Sequence, residues 1–315
     1  MYFNLQKLAK FGLALIITMI LATLPLAGQS SAYVGVFGEY LTTQGSVGSG
    51  VQGSYDYRTS LGSVGYLKFS SLGELSYDFS TSDISDFFSV DIENMWFIED
   101  NELAITAGSQ FSFSGYGDTA AHFSPDWDVT YRIFRGYRKV NPNFSYFGYA
   151  SESQVFNGVR VGMEQAPKVE FSYDLSLGAG VDSYFDTPSP DIPITLSGGI
   201  HGLVGYTINW DLWGRTSYRI SEEDMRQGFS GSVAGQMMFT PSRLFQVYLA
   251  PAWYWSYLTG SESLDMSVEI ATRADLALED SLYLYVGPSF VMDHIQDSAQ
   301  LETSMAITIG LDIAL

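Results

Sequence analysis

The sequence contains no cysteine, which excludes a disulfide framework, thiol catalysis, Cys-based zinc sites and a lipid-modified N-terminal cysteine. Charge is scarce as well: charged residues are 16% of the chain, where a soluble domain carries nearer a quarter. Basic residues are the scarcest, 15 Lys and Arg against 35 Asp and Glu, for a formal net charge of −20. Nucleic-acid binding is excluded on that balance, because it needs cationic side chains to displace counterions. Histidine occurs at only three positions, His122, His201 and His294, and no His-x-x-x-His metal spacing is present. Nothing in the sequence asks for a cofactor. Beyond residue 32 there is no run of about 18 apolar residues, so no membrane helix is encoded there. Yet hydrophobic residues are 46% and aromatic residues 15% of the chain. That apolar content must be dispersed through short segments.

Residues 1–32 have the plan of a secretory leader. Lys7 and Lys10 form a positive start, Phe11 to Leu26 an apolar run interrupted by Pro25, and Ser30 and Ala32 the small residues before a cleavage at Tyr33. Loss of the two lysines takes the net charge from −20 to −22. The expected mature chain, residues 33–315, is a single unit with no linker and no plug domain.

Along that chain the dominant period is two. Leu301, Thr303, Met305, Ile307, Ile309, Leu311, Ile313 and Leu315 fall on one face, and Glu302, Ser304, Ala306, Thr308, Gly310, Asp312 and Ala314 on the other. A strand sends successive side chains to opposite sides, so one face is apolar and one wet. Val169–Asp182 and Leu264–Asp275 repeat the pattern. A soluble β-sandwich also alternates, but its strands usually run about five or six residues. These run to ten or more, the length of a tilted membrane strand.

Two kinds of connection separate the segments. Short turns are expected near Thr59–Ser63, Glu99–Glu102, Asn141–Asn143, Gln165–Pro167, Asn209–Asp211, Thr240–Arg243 and Glu279–Ser281. Longer links are expected at Gly115–Pro125, Asp186–Asp191, Ser221–Gly228, Thr259–Ser263 and Asp293–Ala299. The two sets alternate, as periplasmic turns and outer loops do. The fold predicted is an all-β, closed antiparallel up-and-down transmembrane barrel of about 14–16 strands, with 12 also compatible. Aromatic residues beside turn signals, among them Trp96, Trp127, Tyr137, Phe144, Tyr146, Tyr184, Phe185, Trp210, Trp213, Trp253, Trp255 and Tyr257, are read as interfacial girdles.

From Tyr33 to Leu315 the chain resembles the bacterial outer-membrane β-barrel superfamily, of which porins are the commonest members. The most specific element is the last strand, where Ile307, Ile309, Leu311, Ile313 and Leu315 match the alternating signal read by the barrel-assembly machinery. The favoured terminal aromatic is replaced by Leu315. The resemblance implies the outer membrane of a diderm bacterium as location, and its lipid and the assembly machinery as partners. A homo-oligomer is compatible with it.

The face opposite the apolar set supplies the expected lumen lining. It includes Asp56, Glu74, Asp91, Glu93, Asp128, Glu170, Asp174, Asp265, Glu269, Asp275, Glu302 and Asp312, and the fewer basic Arg58, Lys68, Arg132, Arg160, Arg215, Arg219 and Arg273. Surplus carboxylate in a channel favours cations; simple cross-strand pairing is the alternative for each residue. Arg215 and Arg219 could form a positive ladder opposite the acidic wall. Glu222, Glu223 and Asp224, with Asp118, Asp126 and Asp128, are read as solvated loop carboxylates, weak Ca²⁺ sites being the alternative. His122 and His294 are placed in loops, and His201 on the inward face. The function expected is a pore for small hydrophilic solutes or ions, not an enzyme. A surface barrel binding an envelope or host component is the second reading, and a lipid hydrolase using His201 the third.

Overall fold

A computed structural model of the chain describes residues 29–41, 46–79, 84–99, 101–114, 120–135, 139–165, 171–187, 189–223, 226–279, 281–295 and 300–314. These form 16 antiparallel strands: β1 Gln29–Leu41, β2 Ser46–Ser60, β3 Gly65–Asp78, β4 Ile84–Ile98, β5 Asn101–Ser114, β6 Ala120–Arg132, β7 Val140–Ala150 and β8 Gln154–Gln165. The second half comprises β9 Phe171–Tyr184, β10 Ile192–Val204, β11 Ile208–Ile220, β12 Gly228–Ser242, β13 Phe245–Leu258, β14 Ser263–Glu279, β15 Leu282–Ile295 and β16 Gln300–Ala314. Each strand pairs with its sequence neighbours, and β1 closes the sheet on β16. The sheet therefore has no free edge. Of the strand numbers the sequence left open, 16 is the observed one.

Strand lengths of 11 to 17 residues follow from the uninterrupted dyad pattern. Following paired residues once around the wall returns the register about 20 residues along β1. With strands about 4.8 Å apart and a rise of about 3.3 Å, that stagger gives a tilt of roughly 40° and a backbone radius of about 16 Å. All residues that the register places on one side of the wall share a face. Val159, Leu177, Ile194, Ile309 and Leu311 lie on the outer one, and all are exposed.

The start of β1 and the end of β16 lie on the same rim, here the lower one. Three connections of two residues, after β4, β12 and β14, are all on that rim. Upper-rim connections after β9 and β11 run to seven residues, while the lower-rim link between Arg132 and Val140 matches them in length. The alternation of rims agrees with the sequence reading, though the contrast in length is modest. Tight turns draw on local chemistry. Gly205, in the link between β10 and β11, has φ +62°, a left-handed conformation that costs glycine nothing.

Several expected boundaries move. The turn placed at Asn141–Asn143 lies before Val140, and the one at Asn209–Asp211 before Ile208. Asn and Asp imitate turn residues, but here they are inward strand residues. Asn141, fully buried, accepts the Arg135 backbone N–H at 2.7 Å and so braces the real turn. The link expected at Gly115–Pro125 ends earlier, because β6 starts at Ala120. His122 and His294 are consequently in β6 and β15 rather than loops, and Asp126 and Asp128 are strand residues. The expected leader, residues 1–32, lies almost wholly outside the described residues. Gln29–Ala32 pair with β2 alone, whereas the β1–β16 seam runs from Tyr33 to Leu41. Cleavage before Tyr33 would leave that seam whole.

Candidate functional site: the inward face of the barrel

On the inward face the register aligns the charged residues named from the sequence. Asp91 and Glu93 are on β4, Arg132 on β6, Asp174 on β9, Arg215 and Arg219 on β11, Asp265, Glu269, Arg273 and Asp275 on β14, and Asp312 on β16. All of them share the side opposite the exposed apolar set. Glu170 and Leu315 lie outside the described residues. Ile307, Ile309, Leu311 and Ile313 are on the outer face of β16. Among the girdle residues, Trp96, Trp255 and Tyr257 point outward near strand ends. Tyr184 and Trp213 instead point inward: Tyr184 accepts a hydrogen bond from Arg219 at 3.2 Å, and Trp213 stands between Asp211 and Arg215 on their face of β11. Trp127 and Tyr146 are outward but near mid-strand. Tyr137 is outside the described residues.

Ion pairs knit the lower half. Arg132 reaches Glu102 on β5 at 2.5 Å and Glu164 on β8 at 2.7 Å. Arg160 reaches Asp128 at 3.2 Å. Arg273 meets Asp275 at 2.6 Å and also binds Asp312, while its guanidinium lies 3.9 Å from the centroid of Tyr285. Tyr66 donates to Glu93 at 2.8 Å. Contacts such as Arg132–Glu164, which skip a strand, span the concave side of the wall.

His201 is placed by β10 between carboxylates of both neighbouring strands. Its Nδ1 is 2.7 Å from Asp211 and its Nε2 3.1 Å from Asp174. Sequence reasoning missed Asp211, because Asn209–Asp211 read as a turn; its position opposite His201 becomes visible only once β10 and β11 are in register. Both ring nitrogens are occupied by carboxylates, so neither is available to take a proton from a serine. The group also faces away from the outer apolar surface, where a lipid substrate would lie.

At the upper rim two carboxylates are enclosed. Asp182 is 1% exposed and Asp191 0%, and their backbones form a β-bridge. Arg219 lies 3.7 Å from Asp182 and 3.9 Å from Asp191, and Arg226 3.7 Å from Asp191. This clasp ties the link after β9 to the link after β11.

Lys68 pairs with Asp56 at 3.8 Å, but several other inward acids make no ion pair among the described residues. Glu39, Asp265, Glu269, Asp293 and Glu302 occupy the upper part of β1, β14, β15 and β16, and Asp293 and Glu302 are direct cross-strand neighbours. Like charges so placed repel. Mid-strand, Glu74 on β3, Asp91 on β4 and Asp126 on β6 continue the acidic arc. In a ring of sixteen, β3 faces β11, so Glu74 stands across the barrel from Arg215. That arginine makes no ion pair among the described residues.

The inward face is not closely packed. Trp213 is 41% and Tyr254 44% exposed, although both point into the barrel. A filled barrel would bury them.

No protein-family model matches the sequence, and no curated protein matches it. Solved structures do. A loop-deletion mutant of OmpT, an outer membrane protein of Vibrio cholerae, superposes with a TM-score of 0.53 at 11% identity, over 92% of this chain and 100% of that one. The outer membrane protein opdK from Pseudomonas aeruginosa gives 0.51 at 7% identity, over 91% and 99%. An anion-selective porin from Comamonas acidovorans gives 0.50 at 11%, over 91% and 99%. At such identities the likeness is one of fold: the chain has the architecture of bacterial outer-membrane porins and barrels.

Proposed function

We propose that the chain is an outer-membrane pore through which small hydrophilic solutes diffuse, with a preference for cations. Exposure of inward residues carries the reading, because sixteen strands enclose more space than their side chains fill. The exposed outer apolar face needs a hydrocarbon environment, and closure of β1 on β16 satisfies the backbone there. Cation preference is supported by the upper-mouth carboxylates that make no ion pair among the described residues, whose summed potential raises the local cation concentration. Fold likeness to porins adds to this but does not set the solute.

Bilayer recording tests the pore. Purified chain, inserted into a planar membrane, is expected to open stepwise, with a reversal potential in a KCl gradient that marks K⁺ as the faster ion. Barrels that insert, as judged by protease resistance, yet never conduct would sink the reading. The hydrolase alternative loses support from His201, whose ring is held at both nitrogens.

A further inference from the structure

The wall between β7 and β13 is not smooth. Half-way to the upper rim it recesses into an alcove of about 670 Å³, within the size range of small-molecule sites. Small inward residues create the recess. Ser176, Gly178, Thr195, Ser197, Ser217 and Ser232 form its floor, where bulkier side chains would have filled the space. Their hydroxyls already interact along the floor, Ser176 with Ser197 at 2.7 Å and Thr195 with Ser217 at 3.1 Å. Each hydroxyl both donates and accepts, so the floor can exchange these contacts for those of a polyol.

Its flanks are aromatic. Tyr149 and Phe156, with rings stacked at 5.4 Å, bound one side, and Trp213 and Tyr254 the other. The last two are exposed to the lumen, and aromatic faces carry partial negative charge that attracts the C–H face of a sugar ring.

Charge at the alcove runs opposite to that of the barrel. Arg160, Arg215 and Arg219 all line it. Its two carboxylates are engaged: Asp174 by His201, and Asp182 by enclosure beside Arg219. Arg215 has no ion pair among the described residues, and Arg160 uses one terminal nitrogen on Asp128 and Ser145. A planar guanidinium with free donors fits a carboxylate or phosphate in two-pronged fashion. Hydroxyl floor, aromatic flanks and unpaired arginine meet in one recess of an otherwise acidic lumen.

We propose that this alcove is a binding site for an acidic sugar, a monosaccharide carrying one carboxylate or phosphate, held on its way through the barrel. Passage rests on the pore reading; binding does not. The test is calorimetric titration of the detergent-solubilised protein with glucuronate, glucose phosphate and glucose, the first two separating carboxylate from phosphate. At least one acidic probe is expected to bind about ten-fold or more tightly than glucose. Arg215→Ala should remove that advantage and leave glucose binding within about two-fold. Trp213→Ala should weaken acidic and neutral sugars alike. If Arg215→Ala lacks the strand circular dichroism of the parent, Arg215→Gln, which keeps the length of the side chain, carries the same expectation. Equal affinity for acidic and neutral sugar, or affinities unchanged in the Arg215 and Trp213 variants, would overturn the site. Conductance is read separately: channels that conduct but bind no sugar remove the alcove alone, and protein that binds but never conducts removes the pore alone.

Discussion

Neutralising the upper mouth should weaken cation preference, and more so in dilute salt. Asp265→Asn, Glu269→Gln, Asp293→Asn and Glu302→Gln remove four carboxylates that make no ion pair among the described residues, from β14, β15 and β16. With a wall radius of about 16 Å and side chains reaching about 4 Å inward, each charge lies about 12 Å from the axis. In water one such charge acts on a monovalent ion with about 0.35 kcal/mol before screening. At 0.1 M salt the Debye length of about 10 Å leaves roughly 0.1 kcal/mol, and at 0.01 M about 0.23 kcal/mol. Four charges then total about 0.4 and about 0.9 kcal/mol. Cations are attracted and anions repelled by the same amount, so the permeability ratio should fall about four-fold at 0.1 M and by well over ten-fold at 0.01 M. Reversal potentials of parent and quadruple variant in KCl gradients at the two salt levels supply the readout. An unchanged ratio, or a loss that does not grow as salt is diluted, would refute the electrostatic reasoning.

Other perturbations test the frame around the lumen. Arg273→Ala leaves the nearly buried Asp312 and Asp275 facing each other without a cation; the barrel should lose about 2–3 kcal/mol, read as a lower heat-unfolding midpoint in detergent. Val159→Arg puts a charge on the outer face at mid-wall, where that residue is 59% exposed; in a lipid bilayer it should cost about 2–4 kcal/mol, measured by urea unfolding from vesicles, and a neutral effect would argue against a lipid-facing position. Arg226→Met leaves Asp191 with Arg219 alone, so the links after β9 and β11 should be cut faster by added protease, with the strands intact.

Much of this fold was legible from the residues. The dyad run Leu264–Asp275 appears in β14 with Met266, Val268 and Ile270 outward and Asp265, Ser267 and Glu269 inward, because one face must be apolar and the other wet. What misled was polar chemistry at strand ends. Asn141, Asn209 and Asp211 have the side chains of turns, yet they sit on the polar inward face of their strands, where Asn141 and Asp211 find hydrogen-bond partners. Trp213 reads as a girdle residue by composition, while its spacing of two from Arg215 already puts the two on one face of β11, as the structure places them. The alcove has no linear signal at all. Ser176, Thr195, Ser217 and Ser232 belong to four strands, and the gap they leave depends on the large residues that flank them in space. The Asp174–His201–Asp211 cluster is hidden for the same reason.

Because the chain has no cysteine, single thiols can be introduced without background. Thr195→Cys and Thr308→Cys point inward, and Val159→Cys and Ile309→Cys outward. Labelling of each variant in sealed vesicles by a charged, membrane-impermeant maleimide measures which face is wet. A water-filled, membrane-spanning barrel predicts rapid labelling at residues 195 and 308 and none at residues 159 and 309 until the lipid is dissolved. Labelling of the outward pair in intact vesicles, or protection of the inward pair, would contradict it.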